Sequence, residues 1–193
     1  MSVRAPGRPR SERIRRAVLA AATALVDESG YGTATMEAIA RRAGVSKQTV
    51  YRWWPSPAAI LLEALNEGAA RIAPLVEAGG LESDLRIFVR RSVLGARGRN
   101  ARLLTALMAE AQRDASFAES FRGGFLAQRR AVMRELLVRA RERGDLAPGV
   151  DVDVVVEIFF GTLWYRLLAA SGPVNTRFAD KLTDALLTLV RAE

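Results

Sequence analysis

The chain has 193 residues, half of them hydrophobic, which is enough for a buried core in one or two domains. Without histidine or cysteine it cannot build disulfides, Ser-His or Cys-His nucleophile pairs, or the usual zinc sites, and any metal would have to be held by carboxylates alone. The formal charge of +8 is unevenly placed: residues 1–54 hold ten basic and four acidic side chains, net +6, and the rest contributes only +2, a pattern that fits phosphate binding by the N-terminal end.

Residues 1–10 (Met-Ser-Val-Arg-Ala-Pro-Gly-Arg-Pro-Arg) have two prolines, a glycine and no apolar periodicity, and read as a flexible basic arm. They lack the apolar stretch of a secretory signal, and the chain contains no run of about 18 apolar residues, so no membrane span is expected and the compartment is read as cytoplasmic. Ser11 is placed to cap a first helix reaching about Ser29, with Ile14, Val18, Ala21 and Leu25 on one face and Gly30 as its stop. Thr35 caps a second helix that ends at Gly44, and Ser46 caps a third running to about Trp54. Two short helices broken at Ala43-Gly44-Val45 have the pattern of a helix-turn-helix over 34–53.

Ser56-Pro57 opens a fourth helix, since proline fits the first helical position, and Ile60, Leu61, Ala64 and Leu65 give it an apolar stripe to about Ile72, before Pro74. Further helices are expected over about Glu82–Ala96, Ala101–Arg113, Ser116–Arg143, Asp151–Ala170 and Thr176–Arg191. Gly123-Gly124 weakens or kinks the third of these. Val152, Val154, Val155 and Val156 favour strand by propensity alone, but segment length and flanking periodicity favour helix. The expected fold class is all-α, with about nine helices.

On the third helix, Lys47, Gln48, Tyr51 and Arg52 share one polar face, whereas Val50 and Trp54 point the other way. Gln can make a bidentate pair with adenine, and Arg or Lys can bond guanine O6 and N7. Aromatic edges suit phosphate oxygens, which position a protein without specifying sequence. These residue types on a helix behind a tight turn point to a DNA reader. A plain exposed amphipathic helix would also carry them, but not the ordered run from Ala43-Gly44-Val45-Ser46 to the aromatic pair Trp53-Trp54.

From about Arg13 to Leu65, through Gly32…Thr35, Ile39-Ala40, Ala43-Gly44-Val45-Ser46 and Val50-Tyr51-Arg52-Trp53-Trp54, the sequence resembles the TetR family of transcriptional regulators. The resemblance implies an N-terminal helix-turn-helix domain over 11–71 and a C-terminal effector-binding and dimerisation domain over 72–193. It implies that Thr35, Tyr51 and Trp53 contact phosphate, that Lys47, Gln48 and Thr49 read bases beside Ser46 and Arg52, and that Trp54 is core. Two positions depart from the family pattern: Gln48 stands where glycine is frequent, and Pro57 stands where a lysine commonly approaches the DNA backbone. In the arm, Gly7-Arg8-Pro9 resembles the core of minor-groove AT-hook peptides; Arg8 either enters the groove or adds general phosphate attraction.

The resemblance also implies a homodimer built on the last two helices, with Phe159, Phe160, Leu163, Leu167, Phe178, Leu182 and Leu186 as interface candidates and Gly161 allowing close approach. The same residues also read as intramolecular core. Phe88, Leu104, Met108, Phe121, Phe125 and Trp164 are the apolar candidates for an effector pocket, with Glu110 or Gln112 as polar contributors, although helical spacing suits plain core equally. Glu110 and Asp114 share a helix face, an ordinary arrangement of surface charges. With no Gly-x-Gly-x-x-Gly or Gly-Lys-Ser/Thr loop, no cofactor, metal or enzyme activity is expected. The expected partners are a double-stranded DNA operator, an unknown small-molecule effector and a second copy of the chain, with no membrane. A constitutive helical DNA-binding factor without ligand control is the alternative.

Overall fold

A computed structural model describes residues 11–72 and 79–191, and the regular structure among them is helical, with one isolated antiparallel bridge between Leu146 and Arg191. The chain divides into two compact units, one up to Ala64 and one from Leu65 onward, with the division falling inside a helix.

The first unit contains α1 (Glu12–Ser29), a single 3-10 turn at Tyr31–Thr33, α2 (Met36–Ala43), α3 (Lys47–Trp53) and the start of α4 (Pro57–Ile72). Local chemistry sets these boundaries. Gly30 ends α1 with φ +87° and returns its N–H to the Val26 carbonyl. Thr35 accepts from the Ala38 N–H at 3.1 Å to open α2. Gly44 closes α2 in the left-handed region at φ +65°, where a side chain would be strained. Ser46 then accepts from the Thr49 N–H at 3.2 Å, and Ser56 accepts from the Ala59 N–H at 3.2 Å. Ser11 is the exception: it occupies the cap position of α1 in extended backbone, but its hydroxyl makes no capping bond.

Val18, Ala22, Val26, Ile39, Val50, Trp54, Ile60 and Leu61 are buried and form this unit's core. α1 packs on α2, and α2 on α3. The ends of α1 and α2 are joined outside the core by Arg42, whose two terminal nitrogens lie 2.6 and 2.5 Å from the Glu28 carboxylate.

The second unit continues with α5 (Leu81–Gly95), α6 (Arg99–Ala111), α7 (Ala115–Phe121), α8 (Ala127–Glu142), α9 (Val152–Leu168) and α10 (Thr176–Val190). α7 and α8 are one rod interrupted by a π-helical turn at Arg122–Leu126, the form taken by the expected weakness at Gly123-Gly124. The valine-rich segment is helix, opened by Asp151, which accepts from the Asp153 and Val154 N–H groups. The α10 cap is Asn175, one residue before the expected start, accepting from the Phe178 N–H at 2.9 Å.

α5 packs on α8 and α10, and α9 packs on α6, α8 and α10. Phe159 is fully buried, tilted against Phe88 at 5.6 Å between ring centroids. Around the periphery Arg86 bonds Asp184 at 3.1 Å and Glu82 at 3.1 Å, and Arg191 also bonds Glu82. Across α8 and α9, Arg130 pairs with Glu157 at 3.2 Å and Arg134 with Asp153 at 3.0 Å.

Of the interface candidates, Phe159, Leu163, Phe178, Leu182 and Leu186 are buried within the single chain, as the reading of these residues as intramolecular core expects. Phe160 and Leu167 are half-buried. The apolar residues that α9 leaves exposed are Val154, Ile158, Tyr165 and Leu168, with Gly161 exposed among them. Their spacings of 4, 3, 4 and 3 residues place all five on one stripe.

Candidate nucleic-acid interface

The α2–α3 pair is held rigidly from behind. Val50 is fully buried and Trp54, at the end of α3, is 3 % exposed, as their four-residue spacing requires. The Trp54 indole N–H donates to Glu63 Oε2 at 2.8 Å, and Arg15 Nη1 donates to Glu63 Oε1 at 2.7 Å, so one α4 carboxylate joins α1 to the exit of α3. Trp53 meets Trp54 edge-on at 5.8 Å between centroids. Nothing in the sequence pattern singles out Glu63, because an acid on the half-buried flank of a helix reads as ordinary surface.

The outward side carries the candidate contacts. Lys47, Gln48, Tyr51 and Arg52 are all exposed, so the polar face expected from spacing is a face in the structure. Tyr51 is 53 % exposed. The Arg52 guanidinium lies 5.8 Å from the centre of the half-buried Trp53 ring. Thr35 and Ser46 are exposed and serve as helix caps. Thr49 is half-buried, with its hydroxyl 2.9 Å from that of Ser46. Arg8 and the rest of the arm lie outside the described residues.

One acid intrudes on this face. Glu37, on α2, accepts from the Tyr51 hydroxyl at 3.0 Å and lies 3.6 Å from Lys47 Nζ. Its own backbone N–H and the Tyr51 bond lead the causes that hold its carboxyl below the ordinary glutamate range, and Lys47 adds to them. The same bond to Glu37 pushes the Tyr51 phenol up. Sequence reasoning missed this residue. Its place in the first turn of a helix is explained equally well by the helix dipole.

In the second unit, the pocket candidates separate into two groups. Phe121 stacks on Phe125 at 5.8 Å and meets Trp164 edge-on at 6.3 Å, with Phe117 stacked on its other side at 6.0 Å. Phe117, Phe121 and Phe125 are four apart, so the missed member, Phe117, was legible from spacing. Phe88 belongs to the other group, against Phe159, beneath the Arg129 guanidinium at 5.4 Å. Arg129 is 9 % exposed and donates to Ser92 Oγ at 3.0 Å; burial lowers its pKa. Leu104 is buried; Met108 is half-buried, its sulfur 3.9 Å from the Gln112 amide nitrogen.

Comparison with known proteins places both units. Residues 18–64 match the family model described as bacterial regulatory proteins, tetR family, and residues 75–186 match that of the tetracyclin repressor-like C-terminal domain. The HTH-type transcriptional regulator YdeS of Bacillus subtilis (strain 168) is 31 % identical over 91 % of this chain and 89 % of its own length. The DNA-binding transcriptional repressor TetR of Mycobacteroides abscessus is 28 % identical over 91 % of this chain and 93 % of its own. The crystal structure of the TetR family transcription regulator SCO0332 is similar with a TM-score of 0.78 and 36 % identity, covering 94 % of this chain and all of that one.

Proposed function

The chain belongs to the TetR family of transcriptional regulators, and from that premise we propose that it is a ligand-released repressor that binds a palindromic operator as a homodimer. The observation that carries the reading is the exposed Lys47, Gln48, Tyr51 and Arg52 face on a short helix that buried Val50 and Trp54 lock from behind. In this reading Lys47, Gln48, Thr49 and Arg52 approach bases, whereas Thr35, Tyr51 and Trp53 hold phosphates. The basic arm, with Arg8, adds sequence-independent attraction, and the protein works on cytoplasmic DNA.

One helix-turn-helix spans few base pairs, so a dimer with half-sites about one helical turn apart supplies the rest of the affinity. The stripe of Val154, Ile158, Gly161, Tyr165 and Leu168 supports α9 as the dimer face, since an exposed apolar row with a central glycine suits close packing on its copy. The aromatic group of Phe121, Phe125 and half-buried Trp164 supports an effector site for an apolar or flat molecule. An effector that prefers the conformation with mismatched recognition helices lowers operator affinity roughly 5–150-fold, for a coupling of about 1–3 kcal/mol.

Fluorescence anisotropy on DNA tests the reader. Gln48→Ala relaxes base preference, and Tyr51→Phe weakens binding to all sequences alike. If neither changes DNA binding, α3 is not the reader. Ile158→Arg yields a monomer by sedimentation; an unchanged oligomeric state removes α9 as the dimer face. A constitutive DNA binder would have no small molecule that both raises its melting temperature and releases DNA.

A further inference from the structure

The contact between α2 and α3 assigns Glu37 a role of its own. We infer that Glu37 is an internal stand-in for a DNA phosphate: in the free protein it occupies two donors of the reading face and competes with DNA for them. The inference rests on the reading of α3 as the DNA-facing helix.

The geometry supplies the argument. Tyr51 Oη donates to Glu37 Oε1 at 3.0 Å, and Lys47 Nζ lies 3.6 Å from that same oxygen. A phenol and an ammonium converging on one anionic oxygen is the donor set that a backbone phosphate recruits. Both donors are exposed, and Glu37 is open enough (44 % side-chain exposure) for DNA to reach the group. The carboxylate is firmly ionised, held down by its own backbone N–H and the Tyr51 bond, so it presents a full negative charge to an approaching duplex.

Two consequences follow when DNA arrives. Tyr51 passes from Glu37 to a phosphate, and Lys47 is released from Glu37 to the DNA it approaches. The transfer leaves Glu37 beside the DNA backbone without those partners, and like-charge repulsion subtracts from affinity. Because that repulsion is with the phosphate backbone, which is the same for every sequence, Glu37 lowers affinity for every duplex. A regulator that must let go of its operator gains from such a device.

The test uses the full-length protein, a random-sequence duplex and a duplex selected by the protein from a randomised pool, each titrated across a salt series. Glu37→Gln is expected to bind both duplexes about two- to five-fold tighter at low salt, the range of one exposed ion pair. The slope of log affinity against log salt should steepen by about one, because the variant brings one more net positive charge to the duplex and leaves no carboxylate there to take up a cation. Glu37→Ala, which removes the acceptor altogether, should behave the same way. Weaker binding by both variants would mean that Glu37 only aims Tyr51, and would overturn the inference. Loss confined to the selected duplex would mean that Glu37 reads a base, and would overturn it equally. Tyr51→Phe is measured in parallel: if it weakens DNA binding while the Glu37 variants do not tighten it, this inference alone falls. If Tyr51→Phe and Gln48→Ala both leave DNA binding unchanged, the assignment of α3 falls as well.

Discussion

Replacing Glu63 should uncouple the reading helix from its support. The carboxylate accepts from the Trp54 indole N–H at 2.8 Å and from Arg15 at 2.7 Å, with side-chain exposures of 27 % for Glu63 and 18 % for Arg15. A hydrogen bond to a charged acceptor contributes about 1.5–3 kcal/mol, and the partly exposed ion pair adds at most about 1 kcal/mol. Glu63→Ala should therefore cost about 2–3 kcal/mol in urea unfolding followed by the helical circular-dichroism signal. Glu63→Gln keeps an acceptor for the indole and should cost about half as much. The decisive comparison is the double-mutant cycle with Trp54→Phe, which keeps an aromatic ring but removes the donor. Its predicted coupling is about 1–2 kcal/mol, and a value below about 0.5 kcal/mol would refute the claim that this bond fixes the exit of α3.

Other outcomes follow from the same structure. Gly44→Ala should destabilise the first unit by about 1–2 kcal/mol through backbone strain alone, because φ is +65° and a Cβ there meets nothing within 4 Å. Gly44→Asn should cost less, since Asn tolerates this region; equal costs in thermal unfolding would place the penalty elsewhere. Acid should weaken the first unit in a defined window. Bonds from Arg15 and Arg16 lower Glu12 from 4.5 to about 2, and Arg42 lowers Glu28. A carboxylate depressed in the folded state contributes stability above its unfolded value and loses it as pH falls through the folded one. Melting temperature should thus decline from about pH 4.5 toward pH 2, and less steeply in Glu12→Gln; identical profiles would exclude Glu12 from the effect.

Much of the fold was legible because its signals are local. Thr35, Gly44, Ser46, Ser56 and Asp151 each act as a cap or stop through atoms within a few residues of themselves. The face of α3 was legible for the same reason: helical periodicity alone separates Val50 and Trp54 from Lys47, Gln48, Tyr51 and Arg52. What escaped depends on contacts distant in sequence. Glu63 meets Arg15 across 48 residues, and Glu37 meets Tyr51 across 14; neither pair has a spacing rule. The division of α9 between core and surface was not legible for a different reason. Its apolar residues circle the helix, so composition identified a heavily buried element but could not divide it between its own core, Phe159 and Leu163, and the exposed stripe of Val154, Ile158, Tyr165 and Leu168. At the π-helical turn, Gly123-Gly124 signalled weakness but not its form.

The central claim, that α3 reads DNA in a symmetric dimer, is tested most directly by selecting duplexes from a randomised pool with the wild-type protein and with Gln48→Ala. The account predicts that wild type enriches two inverted half-sites with centres about one helical turn, 10–10.5 base pairs, or a multiple of it apart. The variant should lose preference at the same single position in both half-sites, with adenine the base expected there for a glutamine. Enrichment of an unsymmetric site, or the same sequence preference from both proteins, would contradict it.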